Sequence, residues 1–162
     1  MTDISKISSS ERERMEAESA AYVNDSSIEM AWAIKAYDAT ETHMNLLRSV
    51  DVAQLRMCEC DEEVHRSFRA AFPDLEVGRL KEPDLKSPEA KEIWRQFAEG
   101  FAKSVQDYNY GTLLRLDAGL DYSDENSILV TKVQFLAIEI ARNKEGINST
   151  FRQTPSAAHT DS

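Results

Sequence analysis

Two cysteines and a histidine are the residues of this sequence whose spacing could bind a metal. Cys58 and Cys60 are one residue apart, and His65 follows five residues later. Thiolates and imidazoles suit zinc, but a structural zinc site needs four ligands. The other histidines, His43 and His159, lie in a long helical pattern and near the C-terminal end. We therefore expect two ordinary free cysteines and no metal.

A cluster of carboxylates is the second candidate for chemistry, and it follows the segment DYNYGTLLRLDAG. Asp117, Asp121, Asp124 and Glu125 lack the regular ligand spacing and the central glycine turn of a calcium loop. General acid–base catalysis would require a pair of these carboxylates to face a cleft. We interpret the cluster as a solvated acidic loop, and an unrecognised catalytic carboxylate site remains the alternative.

The glycines argue against a nucleotide or S-adenosylmethionine enzyme. Such a site on an α/β sheet needs glycines clustered at a strand-to-helix turn, where backbone amides approach the ligand. Here the glycines occur singly, at positions 78, 100, 111, 119 and 146. We therefore expect no cofactor and no enzymatic activity.

The framework that must position these residues is rich in helix. A capping box at Ser26 predicts a long helix whose apolar residues recur at helical spacing from Ile28 to Val50. Asp61 is expected to cap a shorter helix. Ser87, followed by proline and glutamate, predicts a third helix that continues to Tyr108.

The segment after Gly111 has the two-residue period of a strand. Thr112, Leu114 and Leu116 would face the core, while Leu113, Arg115 and Asp117 would face outward. The β-branched run ILVTKVQ is expected to pair with this strand as an antiparallel hairpin. Residues 133–145 fit a helix and a continuing strand equally well. The fold class is α+β: one helix-rich domain with a small antiparallel sheet near its C-terminal end.

The ends of the chain indicate where the domain begins and ends, and the net charge indicates which partners are disfavoured. We predict a flexible arm for residues 1–25, a single globular domain for residues 26–147 and a disordered tail for residues 148–162. The net charge of −10 repels phosphate backbones, so direct binding to nucleic acid is not expected. Neither a signal-type apolar run nor a membrane-spanning stretch is apparent, which favours a cytoplasmic protein with no membrane partner.

Several stretches together resemble a known family. They are IEMAWAIKA, NLLRSVD, FPDLEV, LKSPEAKEIWRQF, DYNYGTLLRLDA and ENSILVTKVQFLAIEIARNKEGIN, and in this order they resemble the eukaryotic family of polysaccharide biosynthesis domain-containing protein 1. The resemblance extends from about Ile28 to Asn148. It departs from the family around RMCECDEE, where the cysteines lie.

The resemblance implies a function in protein biogenesis. It implies a dedicated, ATP-independent chaperone that binds the emerging GTP-binding domain of translation elongation factor 1-alpha, acting near the ribosome with the nascent polypeptide-associated complex. The alternatives are a small enzyme or accessory protein of polysaccharide biosynthesis, which the family name suggests, and an adaptor that links translation factors. We expect a monomer.

Client contact is assigned to the outer face and ends of the first strand and to two residues near it. These are Tyr110, Leu113, Arg115, Asp117, Arg142 and Asn143. On this hypothesis an Arg115→Glu substitution leaves the fold intact and reduces client binding, whereas loss of folding would make Arg115 structural.

Overall fold

The structure, a computed structural model, describes residues 18–152. Its elements are α1 (Glu18–Ser49), a 3₁₀ turn (Val52–Gln54), α2 (Asp61–Ala71), α3 (Glu82–Lys86), α4 (Pro88–Glu99), β1 (Gly111–Arg115), β2 (Ser127–Thr131), α5 (Lys132–Lys144) and a second 3₁₀ turn (Ile147–Phe151). The helices and the two-stranded antiparallel sheet confirm the predicted α+β class. None of the helices within residues 18–152 is long and apolar enough to cross a membrane.

The chain divides into two compact units, residues 1–39 and residues 40–162. The described part of the first unit is the stretch 18–39 of α1. Residues 18–25 already belong to α1, so the predicted helix start at Ser26 is wrong. Ile28, the first residue of the predicted apolar series, is 64% exposed. The prediction of a flexible arm for residues 1–17 lies outside the described residues.

The main core of the second unit is built around aromatic side chains of α2 and α4. The rings of Phe68 and Trp94 stack with their centroids 5.7 Å apart, and Phe72 approaches Trp94 at 4.5 Å. The Trp94 indole N–H donates to the carbonyl oxygen of Asp84 at 3.2 Å, so its polar atom is satisfied while its ring is buried. A smaller cluster of Met44, Leu47 and Val52 packs separately.

The third predicted helix begins where expected and ends early. Ser87 caps α4 by accepting a hydrogen bond from the amide of Ala90 at 3.1 Å. The helix stops at Glu99 instead of continuing to Tyr108. Phe101 and Val105 are nevertheless buried, within a series of turns. The apolar spacing predicted the burial of these side chains correctly and their backbone conformation wrongly.

The hairpin leads directly into α5. The two strands pair from Gly111 opposite Thr131 to Arg115 opposite Ser127. The Thr131 hydroxyl accepts from the Gln134 amide at 3.3 Å, and the Thr131 amide donates to the Gln134 side chain at 2.9 Å. This reciprocal capping box starts a helix, so it decides the alternative left open for residues 133–145.

The domain continues past the predicted boundary at residue 147. Gly146 has a φ of +83°, a left-handed conformation that suits glycine, and it turns the chain into the second 3₁₀ turn. Asn148, predicted to begin a disordered tail, is completely buried. The tail prediction is therefore wrong for residues 148–152, because the Asn148 side chain has partners inside the protein. Residues 153–162 lie outside the described part.

We expect a Thr131→Val substitution to destabilise the protein by about 1 kcal/mol. Valine preserves the branched shape that suits the strand but removes the hydroxyl that caps α5. Urea unfolding at neutral pH measures the change. Ser104→Ala, at an exposed position in the turns after α4, is the control and should have little effect. Equal stability of the Thr131 variant and the wild type would contradict the capping interpretation.

Candidate functional site

The six residues assigned to client contact do not form one surface. Arg115, Arg142 and Asn143 are buried, with 2% or less of each residue exposed. Tyr110 is 49% exposed, while Leu113 and Asp117 are half-buried. The surface placement of the first three residues was wrong. A role in partner binding for the other three stays a prediction.

Arg115 is buried because β1 is covered on both sides at this end. Leu114 on one face and Arg115 on the other are both fully buried. The Arg115 guanidinium lies 5.2 Å from the ring centre of Phe151 and 5.9 Å from that of Tyr122. Strand alternation predicts an outer face, but it does not predict that a later segment covers that face. We now expect Arg115→Glu to disrupt folding, contrary to the sequence-based hypothesis.

Glu139 on α5 is the centre of the buried polar network. Nη2 of Arg115 lies 3.2 Å from each carboxylate oxygen of Glu139, and Nη1 of Arg142 lies 2.9 Å from Oε2. All three side chains are completely buried. The carboxylate therefore joins the end of β1 to α5.

The two arginines also hold backbone carbonyl groups. Arg142 donates through Nε to the carbonyl of Val77 and through Nη2 to the carbonyl of Arg115, each at 2.8 Å. Arg115 donates to the carbonyl of Ala118 at 2.9 Å. These hydrogen bonds satisfy carbonyl groups of Val77 and of the stretch 115–118, and they distribute the positive charge.

Two asparagines complete the network. Asn148 accepts from Arg115 at 2.9 Å and donates to Glu139 at 2.9 Å and to the side-chain oxygen of Asn143 at 2.7 Å. Burial of Asn143 therefore has a structural explanation. The same contacts hold the second 3₁₀ turn on α5.

Burial and charge act in opposite directions on the pKa of Glu139. Burial alone would raise this pKa, but Arg142, His43, Arg115 and the hydrogen bond from Asn148 lower it to about 2. The carboxylate is therefore ionised at neutral pH.

Burial lowers the pKa of His43, and the positive charges of Arg115 and Arg142 act in the same direction against the attraction of Glu139. The imidazole is thus neutral at pH 7. Its Nε2 lies 3.7 Å from Glu139, and its Nδ1 is 3.1 Å from the Tyr122 hydroxyl. Burial also raises the pKa of that hydroxyl. An ionised carboxylate, a neutral imidazole and a phenol therefore lie together; the first two are buried, and the phenol of Tyr122 is half-buried.

The other candidates for chemistry are held by local structure. Cys58 and Cys60 are free thiols with their sulfur atoms 2.8 Å apart, and burial raises the pKa of Cys58 to about 12. The carboxylate of Asp61 accepts from the amides of Met57 and Cys58. Within residues 18–152 no group of three or more potential ligands has metal-binding geometry.

The predicted acidic loop makes its own hydrogen bonds. Asp117 accepts from the amide of Gly119 at 2.8 Å, and Asp121 pairs with Arg48 at 3.1 Å. Asn126 donates to the carbonyl groups of Asp117 and Asp121, each at 3.0 Å. Asp117 and Asp121 thus stabilise the turns between β1 and β2.

Exposed apolar side chains are found on and beside the hairpin. Tyr110 before β1 and Leu129 on β2 are about half exposed, and Leu120 in the connecting loop is 57% exposed. Tyrosine side chains such as that of Tyr110 are frequent anchors of protein contacts. Of the residues that the sequence assigned to client contact, Tyr110 is the most exposed.

Comparison with known proteins assigns the chain to a family. The family model described as PBDC1 protein matches residues 28–153. The chain belongs to the PBDC1 family. Protein PBDC1 of Mus musculus is 48% identical over 79% of the chain, and that of Homo sapiens is 46% identical over the same share. The chain spans 65% of the mouse protein and 55% of the human one.

A yeast relative and a solved structure extend the comparison. The PBDC1 homolog of Saccharomyces cerevisiae is 43% identical over 82% of the chain, and the chain spans 92% of that protein. A solution NMR structure of a Saccharomyces cerevisiae protein has 42% sequence identity and a TM-score of 0.71. It covers 78% of this chain, and the similarity spans 89% of the yeast chain. This PBDC1-family fold is therefore also found in an experimental structure.

Sequence reasoning missed the carboxylate on which the network is built. Glu139 lies between two isoleucines in the run AIEIA, and a single acidic residue within an apolar helix face is a signal of a buried, paired charge. His43 was recognised only as part of a helical pattern. Asn148 carried no signal, because its partners are distant side chains that only the folded chain brings near.

We expect Glu139→Gln to destabilise the protein by about 3–5 kcal/mol at neutral pH. Glutamine keeps the shape but leaves two buried guanidinium groups without their countercharge. Urea unfolding measures the loss. Glu99→Gln is the matched control, because Glu99 is 62% exposed and pairs with Arg95 on the surface of α4. The control should change stability by less than about 0.5 kcal/mol. A similar small loss in both variants would show that the network contributes little.

The contribution of Glu139 should also depend on pH. Its pKa falls from an ordinary 4.5 in the unfolded chain to about 2 in the folded protein. As the pH falls, the unfolded chain binds the proton first, so the stabilisation is complete above 4.5 and is lost as the pH approaches 2. The difference in unfolding free energy between wild type and Glu139→Gln should shrink from pH 7 to pH 3. A difference that stays constant over this interval would be the contrary result.

Proposed function

We propose that this PBDC1-family protein is an ATP-independent chaperone for the nascent GTP-binding domain of translation elongation factor 1-alpha. The observation that carries the proposal is membership of the family across residues 28–153. That interval contains the stretches on which the resemblance to the chaperone family rests. The polysaccharide part of the family name would require a sugar-active site, and the sequence lacks the clustered glycines of a nucleotide or S-adenosylmethionine site.

The chemistry of the described residues supports a binding function. Glu139 and His43, which could cooperate in catalysis, are buried, and Tyr122 beside them is half-buried. His43 is hydrogen-bonded to Tyr122, and Glu139 is hydrogen-bonded to Asn148. Exposed apolar side chains instead lie at the hairpin, where Tyr110 and Leu129 can contact another protein. The interior thus maintains the fold, and the surface is available for a partner.

Tyr110, Leu113 and Asp117 remain the proposed client contacts of the original six. Tyr110 is about half exposed and half-buried Leu113 lies opposite Leu129 in the hairpin, while Asp117 presents a carboxylate beside the connecting loop. An apolar centre with a charged border is the usual composition of a protein interface. Arg115, Arg142 and Asn143 act indirectly, because they fix the strand that carries these contacts.

Release of the client needs no ATP in this proposal. A GTP-binding domain without nucleotide has poorly ordered phosphate-binding segments, and GTP orders them. If the chaperone prefers the nucleotide-free state, chaperone and GTP must weaken each other's binding by the same factor. The client's own maturation then drives dissociation.

The cellular setting forms part of the proposal. We place the protein in the cytoplasm, close to the ribosome, with the nascent polypeptide-associated complex as a second partner. The net charge of −10 disfavours direct contact with ribosomal RNA. We therefore propose that a protein partner, and not RNA, recruits this chain to the ribosome. A plain adaptor between translation factors would bind mature and nascent clients alike, so the response to GTP distinguishes the two functions.

We expect the purified protein to bind the nucleotide-free GTP-binding domain of elongation factor 1-alpha and to bind it more weakly when a non-hydrolysable GTP analogue is present. Isothermal titration calorimetry in both states measures the difference. Tyr110→Ala should weaken binding without loss of stability, since Tyr110 is half exposed. Ile93→Ala on α4 is the control, because Ile93 is also partly exposed but lies outside the hairpin.

Three results would each contradict a specific part of the proposal. Equal affinity in both nucleotide states would indicate an adaptor. Absence of binding in both states would exclude this client and favour the alternative function in polysaccharide biosynthesis. Equal loss of affinity in the Tyr110 and Ile93 variants would remove the assignment of the contact to the hairpin.

A further inference from the structure

A surface groove lies between the α3–α4 region and the hairpin. It has a volume of about 380 Å³ and is lined by Leu85, Lys86, Lys91, Trp94, Arg95 and residues of the hairpin that include Leu129 and Val130. Clefts of this size hold small ligands or a few side chains of a partner. Neither the buried network nor the acidic loop contributes to its lining.

The apolar part of the groove is rigid. Leu85, Trp94 and Val130 are almost completely buried members of the main core. The indole of Trp94 is fixed by its hydrogen bond to Asp84 and by stacking on Phe68. A ligand that binds here therefore meets a preformed surface, which reduces the entropy cost of binding.

Every charged residue that lines the groove is cationic, although the whole chain has a net charge of −10. Arg95 is neutralised in part by Glu92 and Glu99 on the same helix. Lys86 and Lys91 are exposed, and neither forms an ion pair within the described part of the chain. The groove thus combines an apolar floor with two lysines that are free to pair with carboxylates.

The register of the hairpin shows which backbone groups are unpaired. Beyond the two ends of the ladder, Lys132 donates to the carbonyl of Tyr110 and Leu116 donates to that of Asn126. Because hydrogen-bonded and non-hydrogen-bonded pairs alternate in an antiparallel ladder, Leu113 and Leu129 form a non-hydrogen-bonded pair. Their amide and carbonyl groups therefore point away from the partner strand, toward the outer edges of the sheet.

The two outer edges differ. On β1, Arg142 donates to the carbonyl of Arg115, and the Tyr122 hydroxyl lies 3.5 Å from the carbonyl of Leu113. On β2, the backbone of Leu129 has no hydrogen-bond partner among the residues that the structure describes, and Leu129 itself lines the groove. An open strand edge is a site at which a partner's extended segment can add.

We propose that this groove binds an extended segment of another protein in which apolar side chains alternate with carboxylates. The segment pairs through its backbone with Leu129, places an apolar side chain over Trp94 and directs its carboxylates toward Lys86 and Lys91. This inference does not depend on the identity of the client, because the ligand class follows from the lining of the groove.

The test uses the full-length chain and two nine-residue peptides, both acetylated and amidated. In one peptide valine alternates with glutamate, and in the other valine alternates with lysine. Titration calorimetry should show binding of the glutamate peptide and at least about tenfold weaker binding of the lysine peptide. Amide hydrogen exchange measured by NMR should show slower exchange at Leu129 when the glutamate peptide is bound.

Variants locate the binding site. Lys91→Glu should weaken binding of the glutamate peptide about tenfold, since it replaces attraction by repulsion. Lys103→Glu changes the overall charge equally at an exposed position that does not line the groove, so it should leave the affinity close to that of the wild type. Both variants alter exposed lysines and should remain folded, which urea unfolding verifies.

Four outcomes would overturn the inference. The first is no binding of the glutamate peptide. The second is equal binding of both peptides, which would show that Lys86 and Lys91 do not distinguish acidic from basic peptides. The third is unchanged exchange at Leu129 despite binding, which would place the peptide elsewhere. If raising the protein concentration alone produces a dimer and protects Leu129, the occupant is a second copy of this chain and the proposed partner is wrong.

Discussion

The pairing of one buried carboxylate with two buried guanidinium groups is the interaction on which the rest of this structure depends. Glu139 has Arg115 on one side and Arg142 on the other, and all three side chains are fully removed from solvent. Burying charges is expensive, and opposite charges and hydrogen bonds offset the cost. Here the arginines reach the carbonyl groups of Val77, Arg115 and Ala118 as well as Glu139.

The network around Glu139 determines which edge of the hairpin is covered. It joins the end of β1, the loop after it, α5 and the second 3₁₀ turn, so the hairpin is held at its outer edge on the β1 side. The edge on the β2 side, beside Lys86 and Lys91, is left open. A hairpin held on one edge and open on the other is preorganised at the open edge, which lowers the entropy cost of binding there.

The fold class and the positions of several elements could be predicted from the sequence, whereas the buried polar network could not. The capping signals at Ser87 and the proline after it placed the start of α4 correctly. The alternation in LLRL predicted a strand, and the run ILVT predicted its partner. The burial of Phe101 and Val105 followed from apolar spacing, although the helix ended before them. These features depend on neighbours in sequence, which is why local patterns suffice to predict them.

The sequence by itself thus determined the helices around an antiparallel hairpin, the acidic charge and the resemblance to a family. Only the tertiary structure decided which side of the strand is covered. Alternation within one strand predicts that Arg115 faces solvent. Tyr122 and Phe151, which come from later segments, cover it. For the same reason Asn148 seemed to begin a tail, while its partner Glu139 lies on another element. Long-range polar contacts have no local period, so the folded chain alone determines them.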